Sequence, residues 1–445
     1  MEENAVFQMV KLSKLQFVLL VGFLFIFRIL YGLSSEFWFE DELQIYLIGL
    51  KAFTTHSWPY YGPDIVYTNT QIPGALQGLL VAGGLFLFPF PEVPTLLLNI
   101  LSFAALAFFG WYTSKRIKNI PSWLVWVWVM TLTWTMHYST RVVNPSYVLV
   151  FSLPFFVCLL ELLPIFERTI LPRKLCYFVI GFCPFMIMQL HMSYVLLFPF
   201  IGLVFLLFIL KPFRLKELLI NGLVWLLGAI AGLLTLIPTW LHPDESMPGV
   251  GSNVIFNIDN YKNIIIVLTR YLSFASYEIP YIIGVNTQTR IDILKSNIWM
   301  APFALFLLVF GFFLVVVFIY SFFKHKTDTT FNKVKYLTFL GYVLVFLSFF
   351  FSIKGPSSHT FYILLPLPVF YSFYCYDWLW SKFKWWKYLM YAAVVSCLFF
   401  YPGLGAYNLS HKSLYVDRQK VVKAIEQKDY RILGNRRADK WGYGY

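Results

Sequence analysis

The sequence predicts an all-α, polytopic membrane helix bundle with about eleven transmembrane helices. Of its 445 residues, 59% are hydrophobic and only 13% are charged, and the mean hydropathy is +0.67. Soluble globular proteins carry about 25% charged residues, so a water-soluble fold of this length could not cover its surface. Aromatic residues make up 21% of the chain, a share that suits lipid-facing helices and interfacial belts.

The placement of charge and cysteine excludes other classes of protein. The formal net charge of +13 comes from Lys and Arg in short clusters between long apolar runs. That is the positive-inside pattern of membrane proteins and not a nucleic-acid-binding surface. The five cysteines lie in or beside apolar runs and form no CxxC motif. We therefore expect small core residues, not zinc ligands or redox centres.

Eleven apolar runs are predicted to span, since a transmembrane helix needs about 20 mostly apolar residues. They cover residues 15–33, 94–113, 122–139, 147–163, 175–190, 194–210, 218–240, 298–322, 336–353, 361–380 and 388–405. The first run has no small-residue cleavage site and is expected to be a retained helix. Arg28, near the outer end of this run, is expected to snorkel towards the membrane surface.

Parity between the basic clusters predicts the topology. The clusters lie at residues 11–14, 115–118, 168–174, 211–216, 324–335 and 382–387, and an even number of spans must separate consecutive clusters if all are cytoplasmic. The first interval holds one apolar run too many. Its weakest run, residues 71–90, is interrupted by Gln, Gly and Pro, so it is predicted to be a juxtamembrane or re-entrant helix on the outer face. The N-terminus is then inside and the C-terminus outside.

The domain organisation follows from this topology. Residues 1–405 form a transmembrane domain with juxtamembrane helices in a first exoplasmic loop, residues 34–93, and with a long exoplasmic loop, residues 241–297. Within the long loop, residues 264–283 are apolar but contain Arg270, Glu278 and Pro280, which favours an interfacial helix over a span. Residues 406–445 form a basic exoplasmic tail.

A dense group of acids follows the first span, where residues 37–43 read FWFEDEL. The three consecutive carboxylates repel one another between aromatic rings at a membrane surface, which raises the pKa of at least one. Such a carboxylate can act as a base near neutral pH. The alternative interpretation is a solvated acidic rim that helps to set the topology.

Residues 58–76, which follow the acids, are rich in aromatic and amide side chains and contain several Pro and Gly residues. Such a surface suits a sugar, whose apolar face stacks on rings while amides bind its hydroxyls. An ordinary aromatic belt is the alternative.

Polar side chains also stand at the predicted outer ends of later spans. Each alone has an alternative role as a snorkelling or interfacial residue, but all share the membrane face of Asp41. These residues are Arg141 and Asn144 after the third span, His191 after the fifth, and Lys354, His359 and Tyr362 between the ninth and tenth.

With these residues in place, the chain resembles the GT-C superfamily of membrane glycosyltransferases, on the branch with protein O-mannosyltransferases and aminoarabinose lipid A transferases. The resemblance covers most of residues 15–405. It depends on Asp41-Glu42, on residues 67–76 (YTNTQIPGAL), on Arg141, and on residues 357–368 (SSHTFYILLPLP). The chain departs from the family pattern where Asn144 follows Arg141 in place of an acid, and where Asn69 stands near the position of a lysine.

The resemblance implies inverting transfer of a sugar from a polyprenyl-phosphate donor to a lipid, glycan or protein acceptor. The site would face the periplasm from a bacterial inner membrane. The resemblance leaves a divalent cation, Mg²⁺ or Mn²⁺, as a possible cofactor, but it assigns no metal ligands. No nucleic-acid partner is expected. Asp41 would be the general base and Glu42 would orient the acceptor. The implied donor-phosphate residues are Arg141, Lys354, His359 and Tyr362. Contact of Arg28 with the phosphate is the alternative to its snorkelling role. The implied sugar or acceptor residues are Asp64, Tyr67, Asn69, Gln71, Asn144 and His191.

Two further classes are compatible with a polytopic, basic-inside chain. A transporter or lipid flippase usually has an internal repeat and ionisable residues near the bilayer midplane, whereas these spans are nearly free of acids and show no repeat. An O-antigen ligase or polymerase would depend on Arg and His in a late loop more than on an acidic first loop.

Overall fold

The computed structural model describes residues 12–36, 40–65, 70–210, 215–242, 256–273, 279–284, 286–325, 328–352, 355, 358–383, 385–411 and 414–426. These ranges are almost entirely helical, and the strands within them are two short antiparallel ones, β1 (Tyr61–Ile65) and β2 (Thr70–Pro73).

Twenty α-helices are described. In chain order they are α1 (Lys14–Ser34), α2 (Glu40–Thr55), α3 (Leu76–Leu87), α4 (Val93–Arg116), α5 (Ser122–Thr131), α6 (Thr133–Tyr138), α7 (Val148–Leu162), α8 (Arg173–Met188), α9 (Phe198–Ile209), α10 (Leu215–Leu233), α11 (Ile237–Leu241), α12 (Ile264–Ser273), α13 (Ile279–Ile283), α14 (Thr287–Ser296), α15 (Ala301–Lys324), α16 (Thr329–Ser348), α17 (Ser358–Tyr362), α18 (Pro366–Lys382), α19 (Trp386–His411) and α20 (Leu414–Glu426).

Seven helical segments in the described ranges are long and apolar enough to cross a membrane. They contain α1, α4, α9, α10, α15, α16 and α19. Exposed apolar helices that are long enough to cross a bilayer are expected only where lipid, and not water, surrounds the protein. The prediction of an all-α, multi-pass membrane protein is therefore confirmed.

Helices α1 and α5–α6 run parallel. The rings of Phe17 and Trp126, near the starts of α1 and α5, lie 5.2 Å apart. Towards their other ends, Gly32 packs so closely on the backbone carbonyl of Thr140 that a side chain at Gly32 would overlap it. Two ends of the bundle can thus be defined. The Arg141 end is where α1 and α6 end, and the Arg116 end is where α1 and α5 begin.

Helix α4 runs antiparallel to both. Near its start, Asn99 donates a hydrogen bond to the Thr140 carbonyl over 2.7 Å, and near its end Gly110 faces the indole of Trp126. Since α1 begins and α4 ends at the Arg116 end, Lys14 of α1 and Lys115 and Arg116 of α4 lie at the same end. This agrees with the parity prediction that residues 71–90 do not span.

The first loop is more varied than the predicted helix over residues 71–90. Its strands form a hairpin in which Asp64 pairs with Gln71, and α3 begins only at Leu76 and has 12 residues. Gly49 of α2 and Gly78 of α3 permit close contact between these two helices, so the loop folds as a unit against the Arg141 end.

The predicted span over residues 122–139 is not continuous. Residues 122–139 form α5 and α6 with a break at Leu132, whose φ of −54° and ψ of 139° are extended. Neither Pro nor Gly lies at this break, and the sequence therefore gives no local signal for it.

Helix α12 lies deeper in the bundle than the interfacial location predicted for residues 264–283. The hydroxyl of Tyr342 donates to the carbonyl of Ile264 over 3.3 Å, and the hydroxyl of Tyr271 donates to the carbonyl of Thr338 over 3.0 Å. Thr338 is the tenth of the twenty residues of α16. Helix α12 therefore extends along α16 to about its midpoint.

The Arg116 end is held by a buried acid. The carboxylate of Glu161 forms an ion pair with Arg116 and accepts a hydrogen bond from the Tyr112 hydroxyl over 2.7 Å. Its second oxygen accepts from the backbone amides of Ile170 and Leu171. One carboxylate thus joins α4, α7 and the loop before α8, which fixes the end of the bundle opposite to the candidate site.

Candidate active site

The acids of the first loop come to the Arg141 end on α2. Asp41 and Glu42 occupy the first turn of this helix. The side chain of Asp41 lies outside the described residues, whereas that of Glu42 is buried. A buried carboxylate such as Glu42 loses part of its hydration.

The hairpin fixes a second acid beside α2. The carboxylate of Asp64 accepts hydrogen bonds from the amide of Gln71, over 3.0 Å, and from the amide of Gln44, over 3.2 Å. Gln44 in turn accepts from the backbone amide of Asp64 over 3.0 Å. Asp64 and Gln71, both predicted to contact a sugar or acceptor, are therefore brought together, and both remain accessible.

Helix α3 connects this loop to the helix ends of the bundle. The amide of Gln77, which is fully buried, donates to the carbonyl of Leu190 over 2.9 Å and approaches the side-chain oxygen of Asn144 at 3.4 Å. Leu190 immediately precedes His191. The predicted residues Asn144 and His191 thus lie on either side of one first-loop side chain.

Arg141 forms the centre of a basic pocket. Its Nη2 lies 3.2 Å from Nε2 of His137. Because a guanidinium only donates, Nε2 accepts and the imidazole is neutral with its proton on Nδ1. A small cavity of about 10 Å³, the size of one water molecule, opens beside the pair. Its lining residues are Tyr31, Ser35, His137, Arg141, Ile282 and Asn408.

The two predicted histidines form a second group. The rings of His191 and His359 meet edge to face with centroids 5.4 Å apart. Nδ1 of His191 accepts from the backbone amide of Ser193 over 3.1 Å, which leaves the proton of a neutral ring on Nε2. Burial, with a smaller effect of the neighbouring His359, lowers the pKa of His191 to about 3. Burial and the charge of Arg270 lower the pKa of His359 to about 4.

An aromatic pair lies beside both groups. The rings of Tyr138 and Tyr362 are 5.2 Å apart. Tyr138 follows His137 in the chain, and Tyr362 lies one turn after His359 on α17. The predicted phosphate residues therefore divide into Arg141, paired with His137, and His359, paired with His191, with the two tyrosines adjacent to each.

Some predicted residues lie outside the described ranges, and some site residues were not predicted. The predicted residues outside the described ranges are Tyr67, Asn69 and Lys354. The site residues that were not predicted are His137, Gln44 and Gln77. Only the spacing of His137 four residues before Arg141 at a helix end offered a signal in the sequence, because that spacing places two side chains on one helical face.

The expectation for Arg28 was wrong. Its side chain does not snorkel but is fully buried, and its guanidinium donates to the carbonyls of Met130 and Thr135 and to the hydroxyl of Ser139. The Met130 carbonyl is available because the helix break at Leu132 removes its amide donor, and the Thr135 carbonyl and Ser139 hydroxyl lie at the end of α6.

Among the described residues, no group of three or more His, Cys, Asp or Glu side chains is placed to hold a metal ion. The chain matches no model of a known protein family, and no curated protein is significantly similar to it in sequence.

Proposed function

We propose that this protein is a GT-C-like membrane glycosyltransferase that transfers a sugar from a polyprenyl-phosphate donor to a lipid, glycan or protein acceptor. The observation that supports the proposal most is the contact of Gln77 with Asn144 and with the carbonyl of Leu190. It brings the loop with the acids Glu42 and Asp64 to the same end of the bundle as Arg141 and the two histidines. A sugar transferase of this kind needs both charge types on one side of the membrane.

The donor phosphate is proposed to bind at the basic pocket. A phosphate leaving group is weakly basic and needs no general acid, but its developing charge needs fixed donors. Arg141 supplies a bidentate fork and lines the cavity together with His137. Tyr362 and His359 would contact the same group from α17, with the neutral His359 as a hydrogen-bond partner.

The acceptor is proposed to enter from the first loop. Asp41, in the first turn of α2, would remove a proton from the acceptor, and Glu42 would orient the acceptor or raise the pKa of Asp41. One base and one displacement give inversion at the anomeric carbon. Asp64 and Gln71 present a carboxylate and an amide that suit sugar hydroxyls, and His191 offers an Nε2 proton to the same ligand.

The proposed topology has eleven crossings. Four helices beyond the seven apolar segments connect the two ends of the bundle: α5–α6, α7, α8 and α18. For α7, the contact of Glu161 with Arg116 at one end, and the position of Val148 just after Asn144 at the other, support a full crossing. In this topology the Arg141 end faces the periplasm of a bacterial cell, because the basic clusters lie at the opposite end.

The buried ionisable groups bear on the transporter alternative. In the described part of the chain they lie mostly near the ends of the bundle, with Glu36, Glu42 and Arg141 at one and Glu161 and Lys335 at the other. A transport path would place such groups near the midplane. This distribution supports chemistry at one membrane surface over passage.

The decisive experiment incubates the purified protein in lipid nanodiscs with a panel of polyprenyl-phosphate sugars, with and without EDTA. We expect release of the sugar, or its transfer to an added acceptor, from one donor. The EDTA arm reports whether a divalent cation takes part. Release of sugar from none of the donors, by protein whose unfolding is cooperative, would reject the proposal.

A further inference from the structure

We infer that Arg28 is a positioning residue that stabilises the break between α5 and α6 and thereby sets His137 and Arg141 in place. The inference rests on the proposed function for the identity of the ligand, but not for the positioning itself.

Arg28 is an unusual residue within an apolar bundle. It lies in the second half of the first apolar segment, and its exposed fraction is 0%. Its Nη1 donates to the Met130 carbonyl over 2.5 Å, and its Nη2 donates to the Thr135 carbonyl over 3.2 Å and to the Ser139 hydroxyl over 2.7 Å. Within the described residues, no acidic side chain forms an ion pair with it. A buried charge without such a partner is retained only where other groups compensate it.

The helix break provides that compensation. Because Leu132 is extended, carbonyls in the last turn of α5, including that of Met130, lose the amide donors of a continuous helix. The carboxyl end of a helix also carries partial negative charge, which favours a cation. The Arg28 guanidinium meets Met130 at the end of α5 and meets Thr135 and Ser139 at the end of α6. One cation therefore satisfies both halves of the broken helix.

The same short helix carries His137, and Arg141 lies just after its end. His137 lies between Thr135 and Ser139, and Arg141 follows Ser139 by two residues. Helix α6 has only six residues, too few to hold its own orientation. Together with the Asn99 bond to the Thr140 carbonyl, the contacts of Thr135 and Ser139 with Arg28 therefore set the direction of the His137–Arg141 pair.

The geometry also requires arginine at this position. Met130 precedes the break and Ser139 lies beyond it, and the planar guanidinium reaches both with two different nitrogens. A lysine has one Nζ and no fork, so Arg28→Lys preserves the charge but not the bridge. We expect this variant to restore only part of what Arg28→Met loses.

The test measures binding of undecaprenyl monophosphate to the full-length protein in nanodiscs. We expect Arg28→Met and Arg141→Gln each to weaken binding by about 10-fold, and the double variant to be no weaker than Arg141→Gln alone, since coupled residues are not additive. Arg28→Lys should lie between wild type and Arg28→Met. Tyr401→Phe is the control, because it removes the 2.8 Å bond of its hydroxyl to Thr133 on α6 and leaves Arg28 in place. Its affinity should stay within about 2-fold of wild type.

Hydrogen exchange supplies a readout that needs no ligand. Arg28→Met should increase exchange in residues 130–141 and leave α8 and α10 unchanged. Unchanged exchange in residues 130–141 would overturn the inference, and so would wild-type affinity of folded Arg28→Met or additive losses in the double variant. If Arg28→Met does not fold, Ser139→Ala removes one of the acceptors of the Arg28 guanidinium and must show the same coupled loss. A wild-type protein that does not bind the probe rejects the proposed function, while hydrogen exchange still decides the role of Arg28.

Discussion

The rings of His191 and His359 lie edge to face, with centroids 5.4 Å apart, although the two residues come from opposite halves of the chain. Burial lowers their pKa values to about 3 and about 4, well below the usual value near 6.5. Both rings are therefore neutral in the folded protein at neutral pH and act as hydrogen-bonding groups.

This pair predicts a pH dependence of stability. Between about pH 4 and pH 6.5 the unfolded chain binds protons at these histidines and the folded chain does not, so the free energy of unfolding falls as the pH falls through this window. Thermal unfolding in detergent should show a lower Tm at pH 4.5 than at pH 7.5, and His359→Gln should reduce this difference. His56→Gln, at an exposed position, is the control and should leave it unchanged. An identical pH slope for wild type and His359→Gln would contradict the assignment.

Much of the helical architecture could be predicted from hydrophobicity and charge. The first run was predicted over residues 15–33, and α1 covers Lys14–Ser34. The parity of basic clusters also excluded residues 71–90 as a span, which agrees with the parallel course of α1 and α5–α6. These features follow from the helix length needed to cross a bilayer and from the preference of positively charged loops for the cytoplasmic side. Both requirements act on each segment separately.

The contacts within the site could not be predicted in the same way. Arg28 binds backbone carbonyl oxygens of residues more than one hundred positions away in the chain. Because every residue has a backbone carbonyl, the sequence does not indicate which ones will be free to bind a cation. The break at Leu132 occurs without Pro or Gly, and the pairing of Asp64 with Gln71 depends on a hairpin whose turn lies outside the described residues. Such features are decided by tertiary packing.

The base assignment predicts a specific loss of activity. Asp41→Asn keeps the size of the side chain but removes its basicity, so we expect transfer to fall by at least about 100-fold with donor binding retained. Glu42→Gln should show a smaller loss. The control is Asp292→Asn, an exposed acid on α14, which should transfer at the wild-type rate. Full activity in Asp41→Asn, measured on the donor that wild type accepts, would refute the base role.

The buried acid at the Arg116 end predicts a loss of stability. Glu161→Gln removes the ion pair with Arg116 and weakens the bonds from Tyr112, Ile170 and Leu171, and breaking a buried pair costs about 3–5 kcal/mol. Denaturation in mixed micelles should detect this loss. Asp259→Asn breaks the exposed pair with Lys262 and is the matched control, since exposed pairs contribute at most about 1 kcal/mol. Equal stability of the two variants would show that the Glu161 network is not formed.

Glycine contacts between α8 and α10 predict a difference between two positions on the same helix. A side chain at Gly228 would overlap the backbone carbonyl of Phe178, and Gly181 approaches the carbonyl of Trp225 in the same way. Small residues permit such close packing of membrane helices. Gly228→Ala must push the helices apart, and we expect it to lower the Tm and to loosen α8, which ends beside His191.

Gly222 provides the control for this prediction. It also lies on α10, but no atom lies within 4 Å of the position that a side chain would occupy. Gly222→Ala should therefore leave the Tm unchanged or raise it, because alanine favours the helix by about 0.5–1 kcal/mol. If Gly228→Ala were as stable as Gly222→Ala, the close approach of α8 and α10 would be wrong. The position of His191 at the end of α8 would then lose its support, because that position depends on how these two helices pack.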